Sequence, residues 1–266
     1  MVAGLLLVGC GKMGGAMLAG WMAAGVAGRV VVVEPSGPHE GLPEGVTAVR
    51  DPAAVPDDLA PAAVILAVKP QMMDAALPAY RRHAGEAVFL SIAAGKPIGY
   101  FERHLGDGAA VVRAMPNTPA AIGRGISVAV ANPHTTPEQR ALCDRLLAAV
   151  GEVAWVEEEA LLDPVTAVSG SGPAYVFLLV EALAAAGEAA GLPPDLALRL
   201  ARTTVSGAGE LLRQSPEGAD QLRRNVTSPN GTTQAALDVL MAPDGLAPLL
   251  RRAVADATRR SRELAG

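Results

Sequence analysis

From Ala3 to Trp155 the chain carries short, unbroken apolar runs separated by longer stretches in which apolar and polar positions mix at helical spacing. The runs are AGLLLVG, RVVVVE, AAVILAV, EAVFLSI, AAVVRAM, GISVAVA and EVAWV. Several are apolar at every position. A strand with one wet face alternates, whereas one covered on both faces does not. Glycine and proline mark the joins, as in VKPQ and MPNTP. This pattern predicts a doubly wound α/β fold around a mainly parallel sheet. Beyond Trp155 the strand signal stops. PAYVFLLVEALAAAGEAAG, PPDLALRLARTTVSGAGELLRQ, TTQAALDVLM and GLAPLLRRAVADATRRSREL read as helices, with Gly191 and the pair Pro193–Pro194 marking an end and a start. The chain therefore divides into an α/β part, residues 1–158, and an all-helical part, residues 159–266.

Composition narrows the picture. Half of the residues are hydrophobic but only 3% are aromatic, so the core is aliphatic. The net charge is −5 and no basic block occurs, which argues against a nucleic-acid partner. Cys10 and Cys143 fit no metal or disulfide spacing and suit a reducing cytoplasm. The N-terminal apolar run lacks a basic flank and ends in glycines, unlike a signal peptide. The run Pro173–Gly187 is short for a membrane span and carries Glu181, so it reads as a helix buried in a core or a subunit interface.

The chemistry begins at Gly9, Gly11 and Gly14, directly after the first strand and before a helix. That spacing gives a tight turn, a close backbone approach to a pyrophosphate, and close helix–strand packing, with free helix N–H groups facing the phosphates. It predicts a Rossmann-type dinucleotide site. Glu34 ends the second strand at the position of the carboxylate that holds an adenosine ribose 2′-OH. That favours NADH over NADPH; a solvated strand-end glutamate gives the same pattern. Ser36 and His39 come next and could tolerate a phosphate. Lys69, at a strand end in LAVKPQ, either edges the cofactor or lies on the surface.

The lysines are Lys12, Lys69 and Lys96, and no lysine or histidine lies beyond His134. The helical part therefore offers no Lys or His base of the kind that takes a proton from a substrate hydroxyl. Reduction of a C=N bond has less need of one. A hydroxyacid dehydrogenase of similar layout would be expected to place a lysine there; a nicotinamide-binding sensor would bind cofactor without oxidising it.

Taken together, VGCGKMG, AVKPQ, SIAAG, RAMPNTPA, SGSGPAYVF and VTSPNGTT resemble, in order and over nearly the whole chain, the pyrroline-5-carboxylate reductases. The resemblance implies a Rossmann domain followed by a helical dimerisation domain, and hydride transfer from NAD(P)H to a ring imine to form proline. It also implies a homodimer or a pentamer of dimers. On it, Val8, Gly9, Cys10, Gly11, Lys12, Met13 and Gly14 correspond to the pyrophosphate loop. Ala67, Val68, Lys69, Pro70, Ala93, Ala94 and Gly95 correspond to strand-end cofactor contacts, and Asn117 to the nicotinamide side. Glu159, Asn225, Asn230, Gly231, Thr232 and Thr233 correspond to the substrate pocket, with the Thr233 hydroxyl near the imine nitrogen. A helix cap or a solvated glutamate is the plain alternative for these. Two departures stand out. Ser228-Pro229-Asn230-Gly231 replaces the usual Ser-Pro-Gly-Gly, and asparagine is the residue that best substitutes for glycine at positive φ. After the third strand, Pro52 or Ala54 falls where an asparagine often meets the adenine end.

Overall fold

The computed structural model describes residues 4–37 and 42–265. His39 lies outside them. The chain forms two compact units. One runs up to Gly170 and takes in the segment from Ala257; the other is Ser171–Asp256.

The first unit holds β1 (Leu5–Val8), β2 (Val30–Val33), β3 (Val46–Val49), β4 (Ala63–Leu66), β5 (Val88–Ser91), β6 (Val111–Met115), β7 (Gly125–Ala131) and β8 (Gly151–Trp155). They form one sheet in the order β3-β2-β1-β4-β5-β6-β7-β8. Every neighbouring pair is parallel except β6–β7. Its helices are α1 (Lys12–Ala24), α2 (Met73–Ala76), α3 (Ile98–Leu105), α4 (Pro137–Ala148) and α5 (Leu162–Val165).

The unbroken apolar runs are explained by the two covers. β1, β2, β4 and β5 are buried at every position. Leu5 and Leu7 face a cluster with Met17, Leu18 and Trp21 of α1 and Leu142, Leu146 and Leu147 of α4. Leu6 and Val8 face the other way, onto Met73, Leu77, Tyr80 and Phe101. The buried Trp21 Nε1 donates to Leu146 O at 2.8 Å, so the bulkiest residue of that layer leaves no orphan donor. β3 is absent from the apolar runs because its VTAV is a partly exposed edge strand.

In the second unit lie α6 (Gly172–Ala189), α7 (Pro194–Gln214), α8 (Ala219–Asn225) and α9 (Thr232–Leu240), together with the first part of α10 (Leu246–Ala265). α6 and α7 approach through small side chains: a Cβ added at Gly187 would lie 3.3 Å from the Ala197 Cβ. The hydrophobic side chains fully buried in this unit are those of Ala184, Ala197 and Ala201. Its larger ones lie open, including Phe177 at 62%, Leu178 at 62% and Val239 at 71% exposure. A helix pair that buries only alanines and exposes its leucines is half of a core. By length and composition alone, Glu159–Ala189 could also cross a membrane.

Candidate cofactor cleft and substrate loop

The order of the strands reverses between β1 and β4, where β1 has β2 on one side and β4 on the other. Open α/β sheets bind ligands at the carboxyl ends of the strands beside such a switch point. A cleft of about 660 Å³ lies there. Val8, Gly9, Gly11, Glu34, Ser36, Ala67, Val68 and Lys69 line it, all of them expected cofactor residues.

The three glycines differ in what they permit. Gly9 has φ +90°, and a Cβ there would sit 2.9 Å from Ala67 O. At Gly14 a Cβ would sit 2.4 Å from Gly9 O, so the helix could not reach the strand. At Gly11 a Cβ would meet nothing within 4 Å. Gly11 borders the cleft and is the N-cap of α1, with no side-chain cap and no acidic residue in the first turn. The first-turn N–H groups and the positive end of the helix dipole are thus available to an anion. This open cradle fits a dinucleotide pyrophosphate.

The other loop residues support the turn from behind. Cys10 is buried and Met13 packs against the core, while Lys12 is exposed. Cys10 N–H donates to Glu34 Oε2 at 2.8 Å. Glu34 Oε1 accepts from Ser36 N–H at 3.2 Å and from Ser36 Oγ at 2.6 Å. The carboxylate expected to hold the ribose therefore also clasps the loop. Burial, then the Glu34 charge, pushes the Cys10 thiol above its ordinary range.

Sequence reasoning missed part of the lining. Met72, Ala75, Ala76 and Tyr80 come from α2 and the 3₁₀ turns beside it, and Val33 and Pro35 from the end of β2 and the residues after it. Of the two residues expected at the adenine end, Pro52 stands on the cleft wall and Ala54 is not among its lining. Burial raises the Tyr80 phenol well above its ordinary range, so it stays neutral. The only signal for the turn residues is the VKPQ join, which marks a break but carries no hint of the turns beyond it.

The remaining expected residues sit elsewhere. Pro70 starts the 3₁₀ turn after Lys69. Ala93 is buried, Ala94 is exposed, and Gly95 (φ +70°) packs against the C-terminal helix, where a Cβ would lie 3.0 Å from Leu264 O. Asn117 bridges two elements: its Oδ1 accepts from Ile126 N–H at 3.0 Å, and its Nδ2 donates to Ser169 Oγ at 3.2 Å. Glu159 accepts from Ile98 N–H at 2.7 Å, capping α3, and forms an ion pair with the mostly buried Arg113.

In the second unit, Asn225 donates to Glu217 Oε2 at 3.0 Å and accepts from Gln221 Nε2 at 2.7 Å. Asn230 has φ +60°, the one positive φ of a non-glycine among the described residues. This is the conformation its replacement of glycine called for. Gly231 is then the N-cap of α9. It has no side-chain cap, no acid occurs in the first turn, and Thr232 and Thr233 begin the helix. α9 thus repeats the arrangement of α1: a glycine start that leaves its first-turn N–H groups for an anion.

Two family models match the chain: "Pyrroline-5-carboxylate reductase dimerisation" over residues 159–264 and "NADP oxidoreductase coenzyme F420-dependent" over residues 4–95. The pyrroline-5-carboxylate reductase of Pseudomonas aeruginosa is 40% identical over 264 residues, covering 98% of this chain and 96% of that one. The Synechocystis enzyme is 40% identical, covering 97% of each. Among solved structures, the Coxiella burnetii pyrroline-5-carboxylate reductase has a TM-score of 0.89 at 32% identity, covering all of both chains. The Plasmodium falciparum pyrroline carboxylate reductase with NADP bound has a TM-score of 0.83 at 26% identity, covering 99% of this chain and 98% of that one.

Proposed function

The chain belongs to the pyrroline-5-carboxylate reductase family, and from that premise we propose how its residues divide the work. It is an NAD(P)H-dependent reductase that converts 1-pyrroline-5-carboxylate to proline, the last step of proline biosynthesis. When bound, the reduced nicotinamide supplies the hydride that the imine carbon receives.

The residues of the chain bind and orient. Val8 to Gly14 cradle the pyrophosphate at the start of α1, with Gly11 as the open point. Glu34 and Ser36 meet the adenosine ribose, and Ala67 to Pro70 edge the cleft. Ala93 to Gly95 and Asn117 support the nicotinamide side. Asn230 to Thr233 hold the substrate carboxylate through backbone N–H groups at the start of α9. Thr233 places a hydroxyl, or a water it holds, where the nitrogen takes up its proton. Asn225, at the end of α8, lines the substrate pocket. Glu159, through Arg113 and the start of α3, shapes its own surroundings more than it contacts substrate. With no lysine or histidine in the helical part, rate enhancement comes mainly from positioning.

The observation that carries this division is the pair of uncapped glycine helix starts with no acid in the first turn, one for each anionic group of the reaction; the glycine start of α8 carries Asp220 in its first turn. We take the functional boundary at Glu159, a reading supported by the span of the dimerisation family, although the compact units divide at Gly170. The dimerisation family supports an oligomer. We assign a homodimer sealed by the open faces of the helical unit, with a pentamer of dimers as the larger assembly, in the cytoplasm. Cys10 and Cys143 lie buried as thiols, which is consistent with that compartment.

The test monitors loss of reduced-nicotinamide absorbance on adding pyrroline-5-carboxylate to purified protein with NADH or NADPH. Binding of cofactor without turnover would refute the assignment of these residues to catalysis.

A further inference from the structure

Glu34 and Arg50 occupy matching positions on neighbouring parallel strands. Val33 pairs with Val49 at the end of β2 and β3, and the next residue on each strand is an acid on one and a base on the other. Glu34 N–H donates to Val49 O at 2.9 Å, which fixes this register. The chain then leaves β2 through a turn closed by Gly37 N–H to Glu34 O at 3.0 Å.

At Gly37, φ is +100° and a Cβ would lie 2.9 Å from Arg50 Nη2 and 3.2 Å from its Nε. The guanidinium is laid against the turn in space that only glycine leaves. Arg50 is not itself a lining residue, but the turn it lies against follows Ser36, and Pro52 comes two residues after it; both of these line the cofactor cleft. The adjacent carboxylate is engaged with the following turn, where Asp51 Oδ1 accepts from Ala53 N–H at 2.8 Å. Arg50 has no ion pair among the described residues. Meanwhile the Glu34 carboxylate accepts three hydrogen bonds from Cys10 and Ser36, which spreads its charge over the turn.

We propose that Arg50 determines cofactor specificity: its guanidinium, beside Ser36, receives the 2′-phosphate of NADPH and offsets the repulsion that Glu34 would otherwise exert. The inference rests on the reading of the cleft as the dinucleotide site. A planar guanidinium suits a phosphate, and one already held against Gly37 loses little freedom on binding. NADH carries no group for it to meet.

The test compares wild type, Arg50→Gln and Arg50→Lys. Arg50 is exposed, so the fold tolerates the changes. The ratio of kcat/KM with NADPH to that with NADH should fall about tenfold or more in Arg50→Gln and recover in part in Arg50→Lys. Competition by 2′,5′-ADP should weaken in Arg50→Gln relative to competition by 5′-AMP. An unchanged ratio, or a parallel loss with both cofactors, would overturn the role of Arg50. A wild-type protein that bound neither 5′-AMP nor 2′,5′-ADP would instead overturn the reading of the cleft itself.

Discussion

The Glu34 carboxylate accepts the Cys10 N–H at 2.8 Å, so the end of β2 holds the turn at the end of β1. One side chain thus shapes the glycine turn and, in the proposed reading, also meets the ribose. Glu34→Ala should lower NADH affinity roughly tenfold through the lost charge-assisted bonds. NADPH affinity should fall less, because repulsion of its extra phosphate disappears as well. Fluorescence titration with both cofactors measures this, and NADH binding within twofold of wild type would contradict it.

Gly11 and Gly14 should fail in opposite ways. Gly11→Val has room in the free protein, so its melting temperature should stay near wild type while cofactor binding is lost. Gly14→Ala drives a methyl toward Gly9 O and should cost about 1–3 kcal/mol of stability. Thermal melts and NADH titration on both variants separate the two; equal melting temperatures would refute the packing role of Gly14.

Both thiols should be silent in the folded protein. Burial and Glu34 raise the Cys10 thiol, and burial, then Asp144, pushes Cys143 up to about 12. A raised thiol pKa means that the reactive thiolate appears only as pH climbs toward the shifted value. At about pH 8 a thiol reagent should find almost nothing in the native state and both cysteines after denaturation. Rapid labelling of native protein would contradict the packing around either residue.

Thr233→Ala should reduce kcat by roughly 10²-fold or somewhat less, the lower part of the range for a lost proton-transfer group. Thr233→Ser keeps the hydroxyl and should retain most activity. Cofactor affinity should hardly change in either. A wild-type kcat for the alanine variant at saturating substrate would reduce Thr233 to a helix-start residue.

Phe177→Glu places a charge on the open face of α6. Sedimentation should show smaller species than wild type at the same micromolar concentration. An unaltered assembly would remove this face from the interface.

The sheet and the loop were legible for different reasons. β1, β2, β4 and β5 showed as unbroken apolar runs because helices and 3₁₀ turns cover both of their faces. Asn230 could be read because positive φ admits few residue types. β3 left no unbroken run because it is a partly exposed edge, and only the family resemblance pointed to a strand there; α8 escaped notice because ADQLRRN is short and polar. Partnerships across the fold left no trace in spacing. Arg113 in the middle of β6 meets Glu159 at the start of a 3₁₀ turn, Glu34 and Cys10 meet through the strand register, and Arg50 and Gly37 through a turn. The wall formed by Met72 and Tyr80 lies beyond a proline break that carries no motif of its own.

The alanine-only interior of Ser171–Asp256 has a kinetic meaning. Its buried apolar surface is too small to offset the chain entropy of so many ordered helical residues. In the proposed dimer, collision with a second subunit supplies the rest, so this part of the chain should complete its folding only when two copies meet. Recovery of activity after dilution from denaturant should then obey second-order kinetics, faster at higher protein concentration, while the sheet forms in a concentration-independent phase before it.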